Sequence, residues 1–462
     1  MKKIKKVSKL VVSFFILCIT ITNTLNAAPY VHATSYVLME ATSARVVSQH
    51  NAHKRIFPAA TTMILTSLLA YENIGLDDII IAGNEVTMLP PTSGRNGHDI
   101  GEAILGQNLI RGMLIGAGND TALITAKEIA RRVSGNNNIG FASAIQIFTT
   151  LMNERAVQLG AYNSNFINPH GYHHDSHFST AFDMAKIAQY AINISFIAEV
   201  AASPSFSGPM AGDNPPANIS SVTRTWHSPN ELIRYGASFY PYARGFRTGF
   251  TNQAGESLVA TANQNGVSLI AVTFDSAIID NAPTRWQNSI NLFEYGFANY
   301  AFRYFQSQNE ILGQLKIYNP VLGGSDTLSF YSNINGRYFL SQEELSRLNI
   351  DINISQNFIA YNENELLLQP PIEQGDIIGN ISYILDDAVI FSAELLAYSS
   401  VSLRSTATDI DYYMAWIQNV FFSASSIPYW VAAFCVFVLL IVLLNITKNS
   451  LKKKQNKYKM KF

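Results

Sequence analysis

Few side chains in this sequence stand where bond-making chemistry would need them. Four histidines fall at His170, His173, His174 and His177, a spacing that could hold zinc, although such residues also serve as surface and turn positions. In Pro58–Tyr71, Thr61, Thr62 and Ser67 carry hydroxyls. A helix there would rotate Thr61 and Thr62 by about 100° and 200° from Ala60 and set Ser67 about two turns deeper. Lys54 and Arg55 precede that stretch and read as solvated loop residues. None of these supplies a nucleophile with a base at hydrogen-bond reach. Arg247, followed by Thr248 and Gly249, is a cation able to grip a carboxylate through two parallel hydrogen bonds. Glu102 and Asp183 read as structural hydrogen-bonders rather than as an acid or a base.

The elements that must position these residues mix two periodicities. Tyr36–Glu40 and Arg45–Ser48 predict paired strands around a turn at Ala41–Ala44. Pro58–Tyr71, Leu109–Arg132 and Ala142–Leu159 space their apolar residues as helices do. Phe246–Phe250, Ser257–Ala262 and Ser268–Phe274 predict strands, the last two joined by a hairpin at Asn263–Gly266. Strands at both ends of a helical middle give α+β character over residues 34–305. From 306 to 400 short alternating runs such as Leu328–Tyr331, Phe358–Tyr361, Ile377–Tyr383 and Val389–Leu396 predict a separate small β domain.

Three phrases, in order, then carry a resemblance. Pro58-Ala59-Ala60-Thr61-Thr62-Met63-Ile64-Leu65-Thr66 matches a frame that usually reads Pro-Ala-Ser-Leu-Thr-Lys-Leu-Met-Thr. Ala117-Gly118-Asn119-Asp120-Thr121-Ala122 stands for Ser-Gly-Asn-Asp-Ala-Ala. Gly245-Phe246-Arg247-Thr248-Gly249-Phe250-Thr251, continuing to Ala254-Gly255, stands for Gly-x-Lys-Thr-Gly-x-Thr with a later Ala-Gly. The chain thus resembles the D-alanyl-D-alanine carboxypeptidases of the penicillin-binding type, from about Ser35 to Tyr300. Asn165–Gly171 and Ser179–Ala185 add family-like phrases, and Pro371–Ala397 gives a weaker echo of the family's β domain. The resemblance implies a serine D,D-peptidase/β-lactamase-like domain, followed by a small all-β domain and a C-terminal transmembrane helix.

The same resemblance defines what is missing. The family's attacking Ser, its base Lys and its proton-relaying Ser correspond here to Ala60, Met63 and Ala117. A methyl group cannot attack a carbonyl, and a thioether is no base near neutral pH. What remains by resemblance is a binding set: Asn119, Arg247, Thr248, Gly249 and Phe250, with an oxyanion hole implied at the backbone N–H groups of Ala60 and Phe250. No cofactor or metal is implied. The bland alternative is that Ala60 and Met63 are ordinary helix-core residues filling a former cleft.

The termini bear on location. A lysine-rich start and the apolar run Leu10–Ile21 read as a signal peptide, with cleavage after Ala27 or Ala33, so that residues 1–33 leave the mature chain. Residues 401–426 read as a connector with an amphipathic stretch at Tyr412–Phe422. Ile427–Ile446 is long enough to cross a bilayer, and seven lysines between Lys448 and Lys461 mark a cytoplasmic tail over 447–462. Those seven and the five up to Lys9 mask the charge of the middle. It holds 20 basic against 33 acidic residues, about −13, which argues against nucleic acid as a partner. Both cysteines, Cys18 and Cys435, lie in apolar runs, leaving the ectodomain without a disulfide or thiolate site. The expected function is a non-catalytic, membrane-anchored relative that binds peptidoglycan stem peptides or proteins of cell-wall synthesis. A peptidase using other residues and a purely structural ectodomain are the rivals.

Overall fold

The computed structural model describes residues 28–213, 215, 221–362, 365–423, 425 and 427–459, which divide into two compact units. The leader assigned to the lysine-rich start and Leu10–Ile21 lies outside the described residues.

The first unit runs to Phe302 and takes in Phe339–Gln342 as well. Its sheet has five strands: β1 (Ala33–Glu40), β2 (Val46–His50), β3 (Ala243–Thr251), β4 (Gly255–Gln264) and β5 (Val267–Ser276). They lie in the order β2-β1-β5-β4-β3, every neighbouring pair antiparallel. The β4–β5 hairpin closes on Asn265 and Gly266 at φ 52° and 81°, the left-handed pair that matches the twist of a two-residue turn.

Side chains along these strands alternate between two apolar layers, as a period of two requires. Val37, Met39, Val259, Ile270, Val272 and Phe274 join one core. It is shared with α1 (Met63–Asn73), α2 (Gly106–Leu114), α3 (Asn119–Ser134), α4 (Phe141–Gln158), α5 (Ala181–Ile192) and α6 (Ser195–Ala202). Leu38, Leu258, Ala260, Leu269 and Ala271 face the other way, onto Trp286, Leu292 and Phe293 of α7 (Arg285–Asn299). Being covered on both faces explains why β4 and β5 read as nearly unbroken apolar runs. Helix α1 is buried continuously from Met63 to Ala70, so it lacks the polar face of a surface helix.

Two expectations shift. The single helical run Leu109–Arg132 is two helices, broken at Ile115–Gly118, where Ala117 takes φ 63°. His32, just ahead of the expected boundary at residue 33, already bonds to the fold. Its N–H donates to Asn288 Oδ1 and its carbonyl accepts from Ala277 N–H, both at 2.9 Å. A cut after Ala27 keeps those bonds; one after Ala33 would remove them. Finally, Phe339–Gln342, assigned on sequence to the β domain, packs in the first unit. The buried Phe339 ring lies 5.7 Å from that of Tyr300 and 5.2 Å from that of Phe302.

The second unit contains β6 (Ile311–Lys316), β7 (Thr327–Tyr331), β8 (Asn349–Ile354), β9 (Ile377–Leu385) and β10 (Ala388–Ala397), in the order β6-β7-β10-β9-β8. Leu328, Phe330, Ile378, Ile381 and Leu395 form its core. The connector is a helix, α8 (Thr406–Phe422), opened by a capping box in which Ser405 and Thr408 exchange hydrogen bonds. After it comes α9 (Ile427–Lys459), whose segment Ile427–Lys452 is long and apolar enough to cross a membrane.

Candidate functional site

The first phrase forms a tight turn leading into α1. Ala59 sits at φ 49°, residues Ala59–Thr62 make one 3₁₀ turn, and Met63 begins the α-helix. A left-handed alanine is strained, and such strain collects where a fold over-determines a site. Gly171 presses against this turn: a Cβ there would lie 1.7 Å from the carbonyl oxygen of Ala59, and its φ is 78°. Thr61 spends its hydroxyl on the Pro58 carbonyl at 2.6 Å, and Thr62 is 2.9 Å from His177 Nε2. Both are fully buried, so neither offers a nucleophile.

The second phrase is the break between α2 and α3. Asn119 opens α3 and donates from Nδ2 to Ser93 Oγ (2.6 Å), while its backbone N–H donates to Gly94 O (3.0 Å). Buried Asp120 accepts the N–H groups of Asn96 and Gly97, each at 2.8 Å, and of His98 at 3.1 Å. The start of α3 therefore clasps the loop 92–98 against the site, a carboxylate in a first turn serving three otherwise orphaned donors. Sequence reading missed Thr92, Ser93 and Gly94 because nothing in their types distinguishes them from a polar turn.

The third phrase is β3, the edge strand. Gly249 lets it touch the first phrase: a Cβ there would lie 3.0 Å from Ala60 N and from Pro58 O. Arg247 is 3% exposed, with Nη2 3.9 Å from Met63 Sδ and with Nε and Nη1 lacking any hydrogen-bond partner. Burial, with Arg285 nearby, pulls its pKa down to about 10, which still leaves it charged at neutral pH. Arg285 itself is engaged by Glu256.

A cleft of about 450 Å³ opens where the three phrases meet. Of the predicted residues it gathers Ala60, Asn119 and Phe250, beside Thr92, Ser93, Gly94, Gly171, Tyr172, His173 and Thr251–Gln253. Met63, Ala117, Arg247, Thr248 and Gly249 are not on its wall, and Met63, Arg247 and Thr248 are buried. Among the described residues, the wall carries no carboxylate, lysine or arginine. It can hold a peptide through hydroxyls, amides and backbone, but it presents no serine–lysine pair.

Three of the four histidines spend a ring nitrogen on the nearby backbone. His177 Nδ1 accepts from Ile167 N–H at 3.2 Å, so its Nε2 carries the proton that it donates to Thr62. His170 Nδ1 accepts from Tyr172 N–H at 3.1 Å and His174 Nδ1 from Ser176 N–H at 3.0 Å. Burial holds His170 neutral, with a pKa near 4. Burial, then the neighbouring histidines, take His177 to about 3. Glu102 accepts from His98 Nδ1 (3.0 Å) and from Arg224 (2.9 and 2.6 Å). Burial alone would raise its pKa, but these partners outweigh it and hold the carboxyl at about 2. Asp183 accepts from Asn163 N–H at 2.6 Å and from Ser164 Oγ at 2.8 Å.

Known proteins resemble this chain in sequence and in fold. A family model described as D-alanyl-D-alanine carboxypeptidase matches residues 22–277, more than half of the chain. D-alanyl-D-alanine carboxypeptidase DacF of Bacillus subtilis is 27% identical over 62% of this chain and 67% of its own. DacA of Haemophilus influenzae is 27% identical over 81% of this chain and 86% of its own. Among solved structures, penicillin binding protein 5 from Haemophilus influenzae gives a TM-score of 0.56 at 24% identity, over 82% of this chain and 99% of that one. The carboxypeptidase DacD from Francisella tularensis gives 0.60 at 22%, over 82% and 95%. Those two structural likenesses speak for the fold, and the family match speaks for descent. The chain belongs to the D-alanyl-D-alanine carboxypeptidase family, peptidase S11.

Proposed function

We propose that this carboxypeptidase-like protein of peptidoglycan metabolism is a non-catalytic, membrane-anchored member that binds stem peptides in its cleft without cleaving them. One pattern supports the reading: the positions that the resemblance assigns to the family's three proton-handling groups hold Ala60, Met63 and Ala117, and the buried arginine of the third phrase rests on the sulfur of Met63. Acyl transfer needs a nucleophile and a base in contact, and none of these three side chains supplies either. The supporting frame is intact around them, from the Asn119–Ser93 bond to the close approach of Gly249 to Ala60. Cell-wall synthesis proteins are the second class of partner this surface would serve. The apolar segment Ile427–Lys452 and the lysines that follow support an extracytoplasmic ectodomain with a cytoplasmic tail.

The test uses the full chain in lipid nanodiscs with a fluorescent penicillin and a pentapeptide ending in D-Ala-D-Ala. The expected result is no covalent labelling and no released D-alanine, with saturable peptide binding by calorimetry. Covalent labelling would overturn the non-catalytic reading. Absent peptide binding would overturn the stem-peptide reading and leave protein partners of cell-wall synthesis or a structural ectodomain.

A further inference from the structure

We infer that the second unit is an interface between two copies of this chain, strand β8 of one lying antiparallel beside β8 of the other with Ile352 on the twofold axis. Strand β8 (Asn349–Ile354) is the last of its sheet: it pairs with β9 in unbroken register and meets no further strand among the described residues. Just past its end, Ser355 N–H donates to Ile378 O at 2.9 Å. The alternation of an antiparallel ladder then turns the backbone groups of Asn353 and Asp351 toward β9 and those of Ile352 and Ile350 outward. Such an outward row of donors and acceptors is a template for another strand.

The side chains point the same way. Ile350 and Ile352 share a face with their cross-strand neighbours Tyr383 and Ile381, which are buried in the core, yet they are 58% and 39% exposed. The core therefore runs out uncovered at this edge. The opposite edge is guarded: β6 has an irregular register between Ile311 and Gly313 and ends on Lys316, both devices that discourage strand pairing. Strand β8 has neither, and its sequence is self-complementary. With the axis on Ile352, Ile350 meets Ile354 of the second copy, which gathers the isoleucines on the core face. On the other face Asp351 meets Asn353 of the second copy, twice, an amide opposite a carboxylate. An axis on Asp351 would oppose two carboxylates, and one on Ile350 would carry Ile354 onto Ser346, in the helical segment Gln342–Ser346. The apolar segment Ile427–Lys452, placed in one bilayer, would keep two copies close enough for so short an edge to suffice.

Disulfide trapping tests this register on the full chain in proteoliposomes, in a background carrying Cys18→Ser and Cys435→Ser. Asp351 and Asn353 of the second copy would form a non-hydrogen-bonded pair, with Cα atoms about 4.5 Å apart, within reach of a disulfide. Differently tagged Asp351→Cys and Asn353→Cys chains, mixed and oxidised with copper phenanthroline, should give a covalent heterodimer. Either chain alone should give about tenfold less covalent dimer, because its two thiols are out of register. Adding Ile352→Lys to both chains opposes two ammonium groups at the axis and should cut the heterodimer about tenfold, whereas random collision would be indifferent to it. Ile352 is partly exposed, so the thermal melt of that variant should stay unchanged. Absence of the heterodimer, equal trapping by Asp351→Cys alone, or trapping that survives Ile352→Lys each overturns the inference and leaves the stem-peptide reading standing.

Discussion

Arg247 Nη2 lies 3.9 Å from the sulfur of Met63, and no hydrogen-bond partner reaches its Nε or Nη1. A guanidinium buried against a thioether has given up its water and received almost nothing in exchange. Fold stability alone does not explain such a residue.

Arg247→Leu follows directly. Removing an uncompensated buried charge while keeping the bulk should raise the stability of the ligand-free chain by about 1–3 kcal/mol in denaturant titration. The same variant should bind D-Ala-D-Ala peptides more weakly. Loss of stability would mean that the guanidinium has a partner in the fold; unchanged peptide affinity would remove it from the binding set.

Met63 should show a strong asymmetry. Met63→Leu conserves volume in a fully buried position and should cost less than about 1.5 kcal/mol. Met63→Lys, the change that would restore the family's base, puts a second cation against Arg247 and should cost about 3–5 kcal/mol. Thermal melts of the two variants check this. A lysine variant as stable as the leucine variant would show that the two side chains separate freely.

How much of this was legible beforehand follows from what sets each feature. The sheet strands carried their own apolar runs, and the Asn-Gly hairpin its own turn chemistry, so both could be read locally. The three phrases placed Ala60, Asn119 and Phe250 on one cleft because the family frame fixes their order in space. The direction of Arg247 could not be read, because it depends on Met63, 184 positions away, having vacated a site that a lysine would hold. Nor could the clasp of loop 92–98 by Asp120, which is made of backbone N–H groups and leaves no mark in side-chain types. The break at Ala117 stayed hidden for a related reason: an alanine gives no warning of a left-handed φ.

Gly171 is the least replaceable backbone position near the cleft. An added methyl would overlap the Ala59 carbonyl, at 1.7 Å, and the residue also needs φ 78°. Gly171→Ala should therefore lower stability by more than about 3 kcal/mol and displace the 3₁₀ turn that carries Ala60. Gly135, also left-handed at φ 65° but with open space around its Cβ position, is the control. Gly135→Ala should cost only the strain of the conformation, about 1–2 kcal/mol. Equal losses in the two variants would mean that the collision at Gly171 is relieved by backbone movement.

Acid should weaken the fold in two overlapping stages, both of the same sign. His170 and His177 are held neutral by burial, at about 4 and about 3, whereas exposed in the unfolded chain they titrate near 6.5. Between those limits the unfolded state binds more protons, so stability falls as pH drops from 6.5 toward 3. Glu102, at about 2 in the fold against 4.5 when free, adds a loss that begins near 4.5 and continues to about 2. Melting temperature should thus hold steady above pH 6.5, fall on the two histidines to about 4.5, and fall fastest just below 4.5, where Glu102 acts together with both rings. His177→Gln removes one titrating ring while its amide can still donate toward Thr62, so this variant should shallow the decline between pH 6.5 and about 3 and leave the loss that Glu102 contributes below 4.5 in place. A wild-type curve level from pH 6.5 to 4.5 would mean that these rings are solvated and protonate in the folded state.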